Sequence, residues 1–162
     1  MATLYRCLLA LNGMEGPEWY QAGDSSIKPS YLVMEDDADE VKICSTSGKP
    51  IGVAGCPSYH DLNTAFSVGE RVPVWMLGSG VKIMVLHDGN SAEAVTKGAK
   101  LQSSSSTAGA VRLKPDYTSK DTTYAYTEFS ERGDTDNFVI GRAAETVTIT
   151  SGTAQFIACI LE

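Results

Sequence analysis

Ile27-Lys-Pro-Ser-Tyr-Leu-Val33, Val41-Lys-Ile43 and Ile51-Gly-Val-Ala54 recur in the same order as Val95-Thr-Lys-Gly-Ala-Lys-Leu101, Val111-Arg-Leu113 and Ile140-Gly-Arg-Ala143. Each copy opens on an apolar residue and a lysine, then a Pro-Ser or Gly turn that sets where the next strand begins. A short strand with a central base follows, and then an Ile-Gly-x-Ala element. Glycine inside a strand marks a bulge or a close backbone approach, so Gly52 and Gly141 are expected at equivalent crowded positions of two related β units. Two copies are too few for a solenoid, which needs at least three. The expected product is a compact β-barrel or β-sandwich with an approximate internal repeat.

The rest of the chain agrees with an all-β fold. Amphipathic helical spacing is nearly absent, with a turn or two of helix allowed at Ser58–Phe66 and Ser91–Val95. Short β-branched runs bounded by Gly, Pro, Asp or Ser predict strands at Leu4–Leu11, Tyr31–Glu35, Val41–Ser45, Ile51–Ala54, Arg71–Leu77, Val81–Leu86, Lys100–Gln102, Val111–Lys114, Phe138–Ala143, Thr146–Thr150 and Ala154–Leu161. Gly78-Ser79-Gly80 predicts a hairpin between the fifth and sixth of these. Pro73 has no N–H to donate, which assigns it to an edge or a bulge. Gly13–Ser26 has neither period, and reads as an irregular contact segment or a loop packed by Trp19 and Tyr20. Ser103–Gly109 has the composition of a flexible loop.

The second copy is longer than the first by about twenty residues, Lys114–Asn137. Thr122–Phe129 within it is rich in β-formers and predicts a projecting β-rich arm with aromatics on one face. The candidate protein-contact residues are therefore Trp19 and Tyr20 in the N-terminal segment 1–26, with Tyr117, Tyr124, Tyr126 and Phe129 in the insert 114–137. A surface loop folded back on the body is the alternative for the insert.

At 162 residues the chain is read as a single β domain, 1–162, long enough to bury a core without staples. Its formal charge of −7 and the lack of a Lys/Arg cluster argue against direct nucleic-acid binding. No run approaches the ~20 apolar residues that span a bilayer as a helix, so no membrane partner is expected. Cys7, Cys44, Cys56 and Cys159 form no C-x-x-C pair and read as core residues of a protein made in a reducing cytoplasm. The apolar terminal segments carrying Cys7 and Cys159 suggest that the two ends share one sheet.

The search for chemistry returns little. Cys56 and His60 are four apart, but a turn explains the pair better than a metal site does. The acidic runs Glu35–Glu40 and Gly133–Asn137 lack the closed loop of a calcium site, and Asp37, Asp39, Asp134 and Asp136 read as solvated turns. No G-x-S-x-G elbow, P-loop or dinucleotide fingerprint occurs. Catalytic, cofactor-binding and metal residues are thus expected to be none.

Ile27–Val33, Ile51–Ala54 and Val68-Gly-Glu-Arg-Val-Pro-Val74, taken with Val95–Leu101, Val139–Ala143 and Phe156-Ile-Ala-Cys-Ile-Leu161, resemble the head-decoration, or capsid-cementing, proteins of tailed bacterial and archaeal viruses. The resemblance covers residues 27–161, and the insert lies outside the shared pattern. It implies a virion structural protein on the capsid exterior, made in the host cytoplasm. Such a protein forms a homotrimer and binds the major capsid protein at junctions between subunits. A carbohydrate- or surface-binding β module is the alternative, with Trp19, Trp75, Tyr117, Tyr124 and Tyr126 as stacking faces. An enzyme with an unrecognised site ranks last.

Overall fold

The computed structural model describes residues 8–10, 16–114 and 139–162. These form thirteen strands and, among the described residues, no helix: β1 (Leu8–Ala10), β2 (Glu18–Ala22), β3 (Leu32–Asp37), β4 (Glu40–Ile43), β5 (Gly52–Ala54), β6 (Arg71–Met76), β7 (Lys82–His87), β8 (Glu93–Val95), β9 (Lys100–Ser103), β10 (Val111–Leu113), β11 (Val139–Ala143), β12 (Val147–Ile149) and β13 (Gln155–Leu161). The all-β expectation holds, and the core strands fall within a residue or two of their expected limits. The two allowed helical turns are corrected. Residues 58–66 form turns and extended chain, and Ser91–Val95 leads into β8. Asp61 explains the first case, because its carboxylate accepts the backbone N–H groups of Asn63 and Thr64 and gives the chain a local alternative to helix.

The strands close into two barrels of one topology. In the first, the order β2-β4-β3-β5-β6 returns to β2. In the second, β7-β10-β9-β11-β13 returns to β7 through the β13–β7 ladder, and β1 adds to the β7 edge. Each ring has a single parallel contact, β2 with β4 and β7 with β10. Chain termini do share a sheet, since β1 and β13 both pair with β7.

The correspondence extends to register. Val33 pairs with Ile43 and Gly52, while Leu101 pairs with Leu113 and Gly141. Ala22 faces Val41 as His87 faces Val111. Irregular hydrogen bonds repeat too: Ser30 N to Ala54 O matches Gly98 N to Ala143 O, and Gly55 N to Pro73 O matches Ala144 N to Ala158 O. Ser30 and Gly98 both sit at positive φ, 72° and 87°. The sequence repeat is therefore a structural one, aligned residue for residue through the strands.

Gly52 and Gly141 occupy the crowded positions expected of them. A Cβ on Gly52 would stand 2.5 Å from the Trp75 carbonyl oxygen, and one on Gly141 would collide with the carbonyl oxygen of Ile160. In both barrels the glycine lets two strands approach where the ring closes.

Strand alternation sorts the side chains into two apolar clusters. Val33, Val41, Ala54, Val72 and Val74 fill the first barrel, plugged by Ile27 and Phe66, whose backbones bond to each other. Ile83, Val85, Leu101, Val111, Ile157, Cys159 and Leu161 fill the second, with Val95 and Ile149 contributed by the β8–β12 ribbon. Leu32, Val53 and Trp75, outward-facing on the first barrel, belong to this second cluster. The barrels are thus fused through a continuous apolar layer, with Trp75 only 6% exposed within it.

Two local expectations change. Arg71–Met76 and Lys82–His87 form no hairpin. Residues Leu77–Val81 carry the chain from one barrel to the other, and each strand takes its partners within its own ring. Both strands are apolar on one face, and two separate barrel interiors supply more burial for those faces than one ribbon would. Irregular structure was one expectation for Gly13–Ser26, yet Glu18–Ala22 forms β2 along β6. Pro73 sits opposite Trp19 with its carbonyl bonded to Gly55 N, at 2.6 Å. Its ring nitrogen faces the same side, past the last β5 pairing, where no ladder donor is required.

Candidate contact surface

β2 presents its two aromatics to opposite sides of the first barrel. Tyr20 points inward and packs on the barrel core, with its hydroxyl donating to the Glu18 carboxylate at 2.9 Å. Burial and then the neighbouring Glu18 raise its phenol pKa above the ordinary value. Trp19 points outward and is 47% exposed. The Arg71 guanidinium carbon lies 5.4 Å from the Trp19 ring centroid, a cation–π contact that holds the indole against the wall. Of the two, only Trp19 is an outward anchor. Tyr117, Tyr124, Tyr126, Phe129 and the insert 114–137 that carries them lie outside the described residues.

Trp75, one of the stacking faces of the carbohydrate-binding alternative, instead closes the gap between the barrels and is 6% exposed. It also lines an open cleft together with Gly16, Glu18, Met76, Leu77 and Ser79, where Glu18 is the one charged side chain. Among the described residues of the first half, Tyr59 and Val68 also stand in solvent.

The acid and histidine candidates resolve into structural contacts. Cys56 and His60 do meet, but the thiol donates to the His60 backbone carbonyl at 3.3 Å and leaves the imidazole elsewhere. That ring stacks on Phe66 with centroids 4.3 Å apart and pairs through Nε2 with Glu70 at 2.7 Å. Hydrogen bonds from the Ser67 N–H and then from His60 hold the Glu70 carboxyl below its usual range. Asp36 pairs with Lys42 at 2.6 Å on the exposed β3–β4 hairpin. Asp39 takes a left-handed φ of 64° at its tip. Among the described residues, no group of three or more His, Cys, Asp or Glu side chains is placed to hold a metal ion. Asp134 and Asp136 lie outside those residues. Cys44 and Cys159 are buried thiols, and burial pushes Cys44 up to about 11 and Cys159 up to about 12.

One polar cluster escaped the sequence reading. His87 is fully buried at the end of β7, and its Nδ1 accepts the Gly89 N–H at 3.2 Å, which leaves the proton on Nε2. The Glu93 carboxylate lies 2.8 Å from Nε2 but off the N–H line, so that nitrogen has no hydrogen bond. Next to it, Asp88 accepts the Ser104 hydroxyl at 2.6 Å and the Asn90 N–H at 3.1 Å. Ser104 in turn accepts from Ser106 N and Thr107 N. The Ser104 hydroxyl is committed to the Asp88 carboxylate, which ties the loop to the end of β7. The serine-rich segment, expected to be flexible, is bonded into the body, with Ser103 and Ser104 buried. It ends at Gly109, whose N–H donates to Cys44 O and whose carbonyl accepts Leu32 N–H, both at 2.8 Å. The cluster thus fastens a loop of the second barrel across β3 and β4 of the first. Nothing in the composition of Ser103–Gly109 signals this, because His87 and Asp88 are distant in sequence.

Among the described residues no helix is long and apolar enough to cross a membrane. No protein-family model matches the chain. No curated protein matches its sequence.

Proposed function

We propose that this chain is a virion structural protein that decorates and stabilises the outside of an icosahedral capsid, binding the major capsid protein at junctions between subunits. The reading is non-catalytic, and it assigns the chain to the capsid exterior as a homotrimer. Trp19 is the observation that carries it: a large aromatic held in solvent by Arg71 on the wall of a barrel fused to a second barrel. An anchor on a stiff body suits cementing, because little ordering entropy is lost on docking and many weak sites around a shell add through avidity. The resemblance of both repeat copies to capsid-cementing proteins supports the same reading.

The test is co-sedimentation with undecorated icosahedral shells assembled from a major capsid protein of a tailed virus. Saturable binding at a stoichiometry set by shell symmetry, weakened by Trp19→Ala, is the expected result. Trp19 also favours a second reading, a carbohydrate-binding module, since an exposed indole face suits sugar stacking. Glycan binding without shell binding would select that one.

A further inference from the structure

The duplicated register allows the two barrels to be compared face by face. Leu32, Val53 and Trp75 are consecutive cross-strand partners on the outer wall of the first barrel, and all are buried between the barrels. The matching partners on the second barrel are Lys100, Arg142 and Ile160, continued by Lys82 on β7. Their chain neighbours Leu101, Ile83, Cys159 and Leu161 point into the core, so this row points out. Lys100 and Arg142 are exposed and Ile160 is 39% exposed. A wall that is apolar and covered in one copy is basic and open in the other.

Lys100 and Arg142 stand directly opposite each other, an arrangement of like charges that costs stability. Glu162 offsets part of it by pairing with Arg142 at 2.5 Å. A polar outer wall would suffice to end a tandem array, and bases of one sign around an exposed isoleucine go further than that. In a chain of net charge −7 the complementary surface is close at hand. The β3–β4 hairpin exposes Glu35, Asp36, Asp37 and Asp39, with Glu40 beside them and Lys42 the one base bonded there. No ion pair among the described residues joins the two groups within a chain.

We propose that the Lys82–Ile160–Arg142–Lys100 row of one molecule receives the acidic β3–β4 hairpin of a second copy. The contact joins different patches, so it is head-to-tail and closes into a ring only if its rotation permits. It deepens the homotrimer reading by naming the surfaces that meet. Self-association is measured without shells, so its failure leaves shell binding untouched and the reverse also holds.

Sedimentation velocity on the purified chain at low and high salt tests it, with K100E/R142E as the row variant and D37K/D39K as the hairpin variant. These side chains are exposed, and matching unfolding curves establish that both variants fold. Wild type should associate at low salt and dissociate as salt screens the contact. Each reversal should weaken association by roughly a hundredfold or more. Neither variant should associate alone, but a mixture of the two should associate in alternation, because the reversed row meets the reversed hairpin and the native row meets the native one. A chain carrying all four changes should associate with itself again. A monomeric wild type at low salt, association that survives either reversal, or a mixture that stays monomeric would each overturn the proposal.

Discussion

Replacing Gly141 by alanine tests the claim that ring closure of the second barrel depends on a missing side chain. The position has no left-handed φ, so alanine meets no backbone penalty and the effect is steric alone. Its Cβ would overlap the Ile160 carbonyl oxygen and approach the Cys159 sulfur to 2.9 Å. Backbone cannot swing away as a side-chain tip does, so β11 and β13 must part. Overpacking of this kind costs about 1–3 kcal/mol. Parting the Gly141–Leu161 pairing gives up one or two hydrogen bonds at about 1 kcal/mol each. The sum is roughly 2–5 kcal/mol, a large share of the ~5–15 kcal/mol that stabilises a domain. Urea unfolding followed by far-UV circular dichroism measures it. Gly52→Ala, 2.5 Å from the Trp75 carbonyl, should cost somewhat less. Gly16→Ala, with nothing within 4 Å, should stay within about 0.5 kcal/mol of wild type. A Gly141→Ala protein destabilised by less than about 1 kcal/mol would refute the argument.

Trp75→Ala should cost about 3–5 kcal/mol in the same assay, because the indole fills the layer that fuses the barrels, whereas Trp19→Ala should cost about 1 kcal/mol or less. With both indoles present, acrylamide should quench Trp19 emission and leave Trp75 emission largely protected. Cys44 and Cys159, raised to about 11 and about 12 by burial, should resist a thiol reagent at pH 8 in the folded protein and react once it is unfolded. For Asp24, burial alone would raise the pKa, but hydrogen bonds from Ser26 and from Ile43 N–H outweigh it and lower the folded value below 3.8. Its contribution is therefore present above that pH and lost as pH falls through the lower folded value, so Asp24→Asn should flatten the acid limb of a stability–pH curve.

The strand content was legible because barrel walls impose a period of two on apolar residues. Val72, Val74, Ile83, Val85, Ile157 and Cys159 each alternate with side chains directed outward. The repeat was legible for a related reason. Val33, Val41 and Gly52 meet the same demands in the first barrel that Leu101, Val111 and Gly141 meet in the second, so similar residues recur in order. β2 was harder to read, since Glu-Trp-Tyr-Gln-Ala shows one buried residue among five and draws its pairing from β6 and β4. Trp19 was singled out by sequence as an aromatic in an unassigned segment. Its outward direction came from strand register.

By itself the chain determined that it would be β-structured, where most strands would lie, that two related modules occur in tandem, and where glycine is required. These are local demands, set by alternation, turn chemistry and the space a Cβ takes. Tertiary structure decided that Leu77–Val81 joins two barrels rather than two strands of a hairpin, that Leu32, Val53 and Trp75 are covered, and that the matching Lys100, Arg142 and Ile160 are not. Burial of a wall depends on what packs against it, and a strand's own alternation is the same whichever surface its outer face meets.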